Sequence, residues 1–233
     1  MEEEGFIKVR RGRKAMTTTD SERANGSEED VKRIMNKEEE SAKDDAFVEW
    51  MCRRVQSALE GRRLAQVVVL GNGHFDGPAE AGATQLAMAL KIANDHKASV
   101  FFQDPVCTDE EVSMKKSMKV PEMNWRENEK DEDMARLIIF VHNPHGLLND
   151  LFKKGWPSIG NNSIVLCNDY SGWEPSDYNE SCDGKITYVE EFVVAGVLER
   201  LPDSVPFPTY HQTALIYVKR GHELPCIVRS VID

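Results

Sequence analysis

The stretch VVVLGNGHFDGPAEAGATQLAMALKIA, residues 67–93, constrains the fold more than any other part of the chain. Four apolar residues in a row, Val67 to Leu70, suit a strand covered on both faces, and such strands belong to parallel sheets walled by helices. Three glycines, Gly71, Gly73 and Gly77, follow within seven positions. The chain then takes up an alanine-rich helical pattern from Ala79 to Ala93, with an apolar face through Leu86, Ala87, Leu90 and Ala93.

The alternation continues downstream. Residues 98–103 (ASVFFQ) predict a second strand and Asp109 to Met118 a short, poorer helix. ARLIIFVH is a third buried run, followed by a helix around Leu147 to Lys154, and NSIVLCND supplies a further strand. ITYVEEFVVAGVLERL reads as one helix, TALIYVK as a late strand and LPCIVRS as one more. Upstream, Phe47, Trp50, Met51, Val55 and Leu59 recur at helical spacing from Asp45, with Gly61 as a stop signal. The expectation is an α/β fold: a Rossmann-like open, mostly parallel sheet with helices on both faces. Residues 124–132 and 171–184 read as the long loops.

Residues 1–44 carry too few apolar positions to offset the entropy of ordering, so they are expected to form a disordered tail ahead of a single domain over 45–233. A transient helix from about Ser27 fits the acidic Glu28, Glu29 and Asp30. The tail holds one basic cluster, Lys8, Arg10, Arg11, Arg13 and Lys14, which reads as a solvated arm. A net charge of −11 argues against general nucleic-acid binding, which needs clustered Lys and Arg on the docking face. No apolar run approaches the roughly 18 residues of a membrane span, and MEEEGFIKVRRGRKA lacks the apolar core of a signal peptide. A cytoplasmic protein, with nuclear residence also open, is therefore expected. The five cysteines are scattered without a C-x-x-C pair and read as free thiols.

Ligands of open parallel sheets bind beyond the carboxyl ends of the strands. Four polar groups fall there: Asn72, His74 and Asp76; Asp104 and Pro105; His142, Asn143, Pro144 and His145; Asn168, Asp169, Tyr170 and Ser171. They are expected to converge on one rim. The glycine loop reads G-N-G-x-x-x-G, and two readings stay open: a phosphate or nucleotide site, with Asp104 as the acid after the second strand, or a tight strand exit that needs positive backbone angles. His142 and His145 with Asp104 and Asp169 have metal-ligand chemistry, but one histidine bonded to backbone across the loop and the other solvated is the favoured reading, and no metal is expected. His145 and Asp104 are the acid–base candidates. There is no G-x-S-x-G motif and no P-loop lysine.

Taken in order, GNGHFDGPAEAGATQLAMAL, FFQDPVCTDEE, IIFVHNPHGLLNDLF and NSIVLCNDYSGW resemble the sensitivity-to-red-light-reduced family, as does the basic stretch IKVRRGRKA. The chain departs from that pattern at Gly146, Cys167 and Ile216. The resemblance implies a regulatory protein, tied to haem biosynthesis and to circadian clock-gene expression, and carries over Asp104, His145 and Asn168 as site positions. With Gly71, Gly73 and Gly77, Asp104 and Asn168 form the candidate ligand site; the cofactor is not identified, and protein partners of unknown identity are expected. Two rivals remain open: an enzyme using a nucleotide or methyl donor, and a pure interaction module.

Overall fold

The computed structural model describes residues 27–73, 82–104, 109–117, 133–172, 186–202, 210, 212–222 and 224–225. Strands β1 (Arg63–Leu70), β2 (Ser99–Gln103), β3 (Met134–Phe140), β4 (Ser163–Asn168), β5 (Val197–Arg200) and β6 (Thr213–Tyr217) form one sheet in the order β2-β1-β3-β4-β6-β5. β2, β1, β3 and β4 run parallel, and β6 runs antiparallel between β4 and β5. The expected α/β architecture is present, with an antiparallel end to its sheet.

The apolar runs are buried because both faces of the sheet are covered. Val67, Val69, Leu137, Ile139, Ile164 and Leu166 pack with α1 (Glu28–Lys43), α2 (Ala46–Ala58) and α3 (Gly82–His96). Alternate residues Ile138, Phe140, Val165 and Cys167 face the second layer, built from α5 (His145–Gly155), α6 (Ser158–Asn161) and α7 (Thr187–Ala195). The short α4 (Asp109–Ser117) follows β2. Helix α2 starts where the pattern predicts, because Asp45 Oδ1 accepts from the amides of Phe47 and Val48 and so caps its first turn. Among the described residues no helix is long and apolar enough to cross a membrane.

Two elements differ from the sequence reading. Residues 28–43, assigned there to the tail, form α1. Ser27 and Asp30 make a reciprocal capping box at its start, and Val31, Met35 and Ala42 are buried. Its apolar content is too sparse to hold a lone helix in water. Docking against α3 supplies what the segment lacks, with Val31 and Met35 each worth about 1.5–3 kcal/mol on burial. The second difference lies in the stretch read as one helix over 186–201, which breaks at Gly196. A Cβ there would stand 2.7 Å from the Phe192 carbonyl oxygen and 3.0 Å from Ile216 Cγ2. The chain turns at that glycine and pairs Val197 to Arg200 with β6. The basic cluster, and nearly all of the strand expected over 224–230, lie outside the described residues.

One buried cation ties the two helical layers together below the sheet. Arg62, 5% exposed, donates from Nε to Leu59 O at 3.0 Å, from Nη2 to Ala58 O at 3.1 Å and from Nη1 to Asn161 O at 3.0 Å. It thus caps the carboxyl end of α2 and reaches across to α6, satisfying carbonyls that a helix end leaves without intrahelical partners.

Candidate functional site

From β1 the chain passes through α3 to β2 on one side, then crosses back to β3 on the other. The order therefore reverses between β1 and β3, and the crevice of such a sheet opens outside their carboxyl ends.

Gly71 and Gly73 leave β1 with φ of +60° and +76°, the left-handed region that favours glycine. The Gly71 amide donates to Gln103 O at 3.0 Å, and the Gly73 amide donates to Asp104 Oδ2 at 2.7 Å. Glycine loop and post-β2 acid thus meet. Asn143, after β3, spans the gap between the strands: its Nδ2 lies 3.1 Å from the carbonyl oxygens of Leu70, Gly71 and Val141. The approach is so close that a Cβ on Gly71 would fall 2.0 Å from Asn143 Oδ1. Above Gly73, by contrast, no described atom lies within 4 Å of such a Cβ.

The rim continues to β4. Asn168 Nδ2 donates to Asn143 O at 3.2 Å, and Asn168 Oδ1 accepts from the His142 amide at 2.9 Å. That bond holds His142 at a φ of +55°. Asp169 accepts from the Ser171 amide at 2.9 Å and pairs with Arg200 Nε at 2.6 Å. A line of neighbours therefore runs from Asp104 by a hydrogen bond to Gly73, along the backbone to Gly71, and by hydrogen bonds on to Asn143 and Asn168.

His145 opens α5 and is turned toward the second core layer. Its Nδ1 lies 2.9 Å from the Tyr170 hydroxyl, with the rings edge-on at 5.4 Å. Burial pulls its titration below the ordinary histidine value, which favours neutral imidazole at pH 7. His145 meets Tyr170 and Asp104 meets the Gly73 amide, so the two acid–base candidates sit at different stations of the rim. A pH effect follows. A base whose folded value is depressed binds its proton more readily when unfolded, so stability is full above about pH 6.5 and declines as pH falls below it. Burial shifts His96 in the same direction. Denaturant unfolding of His145→Gln between about pH 7 and 5 is expected to show a shallower loss than the parent; an unchanged slope contradicts this account.

Of the candidate ligand residues, Gly71, Gly73, Asp104 and Asn168 are joined in this way, while Gly77, His74, Asp76 and Pro105 lie outside the described residues. Among the described residues no three His, Cys, Asp or Glu side chains form a group able to hold a metal. The sequence reading placed Asn72 and Asn143 among the polar residues of the rim but gave neither a part in the ligand site. Asn72 is 5% exposed, its Nδ2 donates to Gly82 O at 3.0 Å, and its Oδ1 accepts no hydrogen bond among the described residues. A glycine opposite an asparagine at neighbouring strand ends was the available signal for Asn143. Arg200 gave none, because β5 was read as helix.

The loop chemistry bears on the phosphate reading. A phosphate cradle needs free backbone N–H donors. Here the Gly71 amide is engaged by a carbonyl and the Gly73 amide by a carboxylate.

Comparison with known proteins agrees with the motif order. Residues 34–215 match the model of the SRR1 domain. No curated protein matches the chain. A solved structure from Thermobifida fusca YX, described as a "putative methyltransferase", is similar at 11% identity and a TM-score of 0.38, covering 82% of this chain and 80% of that one. With the domain model spanning most of its length, this chain belongs to the SRR1 domain family.

Proposed function

We propose that this protein is a regulator whose state is set by a small ligand held at the carboxyl edge of β1, β2 and β3. The observation that carries the reading is the hydrogen bond from the Gly73 amide to Asp104, which joins the glycine loop to the acid after β2. Those are the two contact points of a ligand site in an open α/β sheet. Family membership supports a role in controlling haem biosynthesis and clock-gene expression, through protein partners, in the cytoplasm and nucleus. The enzyme reading has less behind it, since His145 is directed at Tyr170.

A thermal-shift screen of the full chain against nucleosides, nucleotides, methyl donors, haem and divalent cations tests this. A ligand specific for the folded state stabilises it by about 2.7 kcal/mol at a hundredfold excess over its dissociation constant. At least one organic ligand is expected to raise the Tm and to be recovered unchanged. No shift from any of them contradicts the ligand site, and turnover of the bound ligand favours the enzyme.

A further inference from the structure

We propose that α1 is a reversible plug: it covers a face of α3 that, once uncovered, binds a helix of another protein built to the same pattern. Helix α3 shows that the face needs a cover. Gln85, Leu86, Ala87, Met88 and Ala89 are buried in succession, and a run of that length takes in every side of a helix. One side of α3 lies on β1 and β2, and α1 covers another. The covered side is marked by Thr84, whose hydroxyl donates to Glu38 Oε2 of α1 at 3.1 Å, and helical spacing puts Ala87, Met88 and Lys91 on that same side.

What α1 presents to that face is narrow. Val31, Met35 and Ala42 are buried, and the Glu38 side chain is only 21% exposed, so one seam along the helix carries the contact. Arg33, Asn36, Lys37, Glu40 and Lys43, on its other sides, are exposed. Glu38 is the polar member of the seam, and by meeting Thr84 it fixes the register, as a single polar group does in a coiled coil. Both ends of α1 allow release and return. Ser27 and Asp30 close its first turn from within, and α2 needs nothing from α1, because Asp45 caps it. Asp44 alone separates the last residue of α1 from that cap. At this joint a small gap lined by Glu38, Ser41, Ala42, Asp45, Val48 and Thr84 leaves the carboxyl half of α1 short of full packing. A thin seam, a neighbour that caps itself and an imperfect seat are the marks of a segment that opens locally while the rest of the domain stays folded. The face it leaves accepts a helix with apolar residues at i, i+4 and i+11 and a carboxylate at i+7, the pattern of Val31, Met35, Ala42 and Glu38 that it already holds.

Hydrogen exchange of the full chain reports the opening directly. The amides of Met35 to Lys43 are expected to be at least about a hundredfold less protected than those of Val68 and Ile138 in the sheet. Equal protection means that α1 opens only when the whole domain unfolds, and overturns the proposal. Binding of a labelled peptide of residues 27–44, standing in for the partner helix, tests the uncovered face. The parent chain keeps its own α1 in the seat, so the peptide reaches only the opened fraction and binds weakly. Val31→Asp combined with Met35→Asp in the full chain empties the seat, and is expected to bind the peptide at least about tenfold more tightly than the parent does. A peptide carrying the same two substitutions is expected not to bind. Equal affinity of parent and variant, or binding of the substituted peptide, overturns the proposal. So does a variant that loses the cooperative unfolding transition of the sheet, since α1 is then part of one folding unit with it.

Discussion

Gly71→Ala is expected to destabilise the fold by about 3 kcal/mol, whereas Gly73→Ala two residues on costs about 1 kcal/mol. Both glycines have positive φ, so both replacements incur left-handed strain of about 1–2 kcal/mol. The difference lies in what the new methyl meets. At Gly71 it lands on the Asn143 amide, 2.0 Å from Oδ1 and 2.7 Å from Nδ2, in the group that holds β1 and β3 together at the crevice. Asn143 has to leave, and its hydrogen bonds to Leu70, Gly71 and Val141 go with it, each worth about 0.5–1.5 kcal/mol. At Gly73 the methyl meets no described atom within 4 Å. Urea denaturation of the two variants measures the contrast; equal losses would mean that Asn143 does not clamp the strand ends.

Arg62→Met is expected to cost about 3 kcal/mol, since the stem still fills its buried path but the carbonyls of Ala58 and Asn161 lose a charged donor worth about 1.5–3 kcal/mol each before relaxation. Leu59 O retains the Arg62 backbone amide at 2.8 Å and is affected least. Arg62→Lys is expected to recover less than half of the loss, because one ammonium on a flexible stem cannot reproduce a planar fork reaching three carbonyls on two helices. Full recovery by lysine in the same denaturation experiment would show that charge, and not the fork, holds α2 to α6.

The contrast between these positions and the sequence explains what could be read from it. The β1, β3 and β4 runs were legible because strands covered on both faces must be apolar at every position, and no surface helix imitates that pattern over so short a length. The start of helix α1 was legible in Glu28, Glu29 and Asp30, but its docking was not: Val31, Met35 and Ala42 are a thin stripe in a strongly charged segment, and their burial depends on α3 lying alongside. β5 was hidden because Val193 to Leu198 is apolar on both sides of Gly196, so periodicity cannot mark the break, and the pairing with β6 decides it. At the site, topology alone put Asp104, Asn143 and Asn168 on one rim. Which donor meets which acceptor depends on side-chain reach across strands, and that reach is why Asn72 and Asn143 matter more than the histidines beside them.

The central claim is that the ends of β1, β2 and β3 form one ligand crevice over the glycine loop. The direct measurement is a titration of isotope-labelled full-length protein with the tightest ligand of the thermal-shift screen, followed through the backbone amide signals of Gly71 and Gly73 and the side-chain amides of Asn72, Asn143 and Asn168. These five are predicted to shift together with one dissociation constant, the Asn72 signal among the most affected. Binding that leaves all five in place while signals elsewhere move would contradict the account.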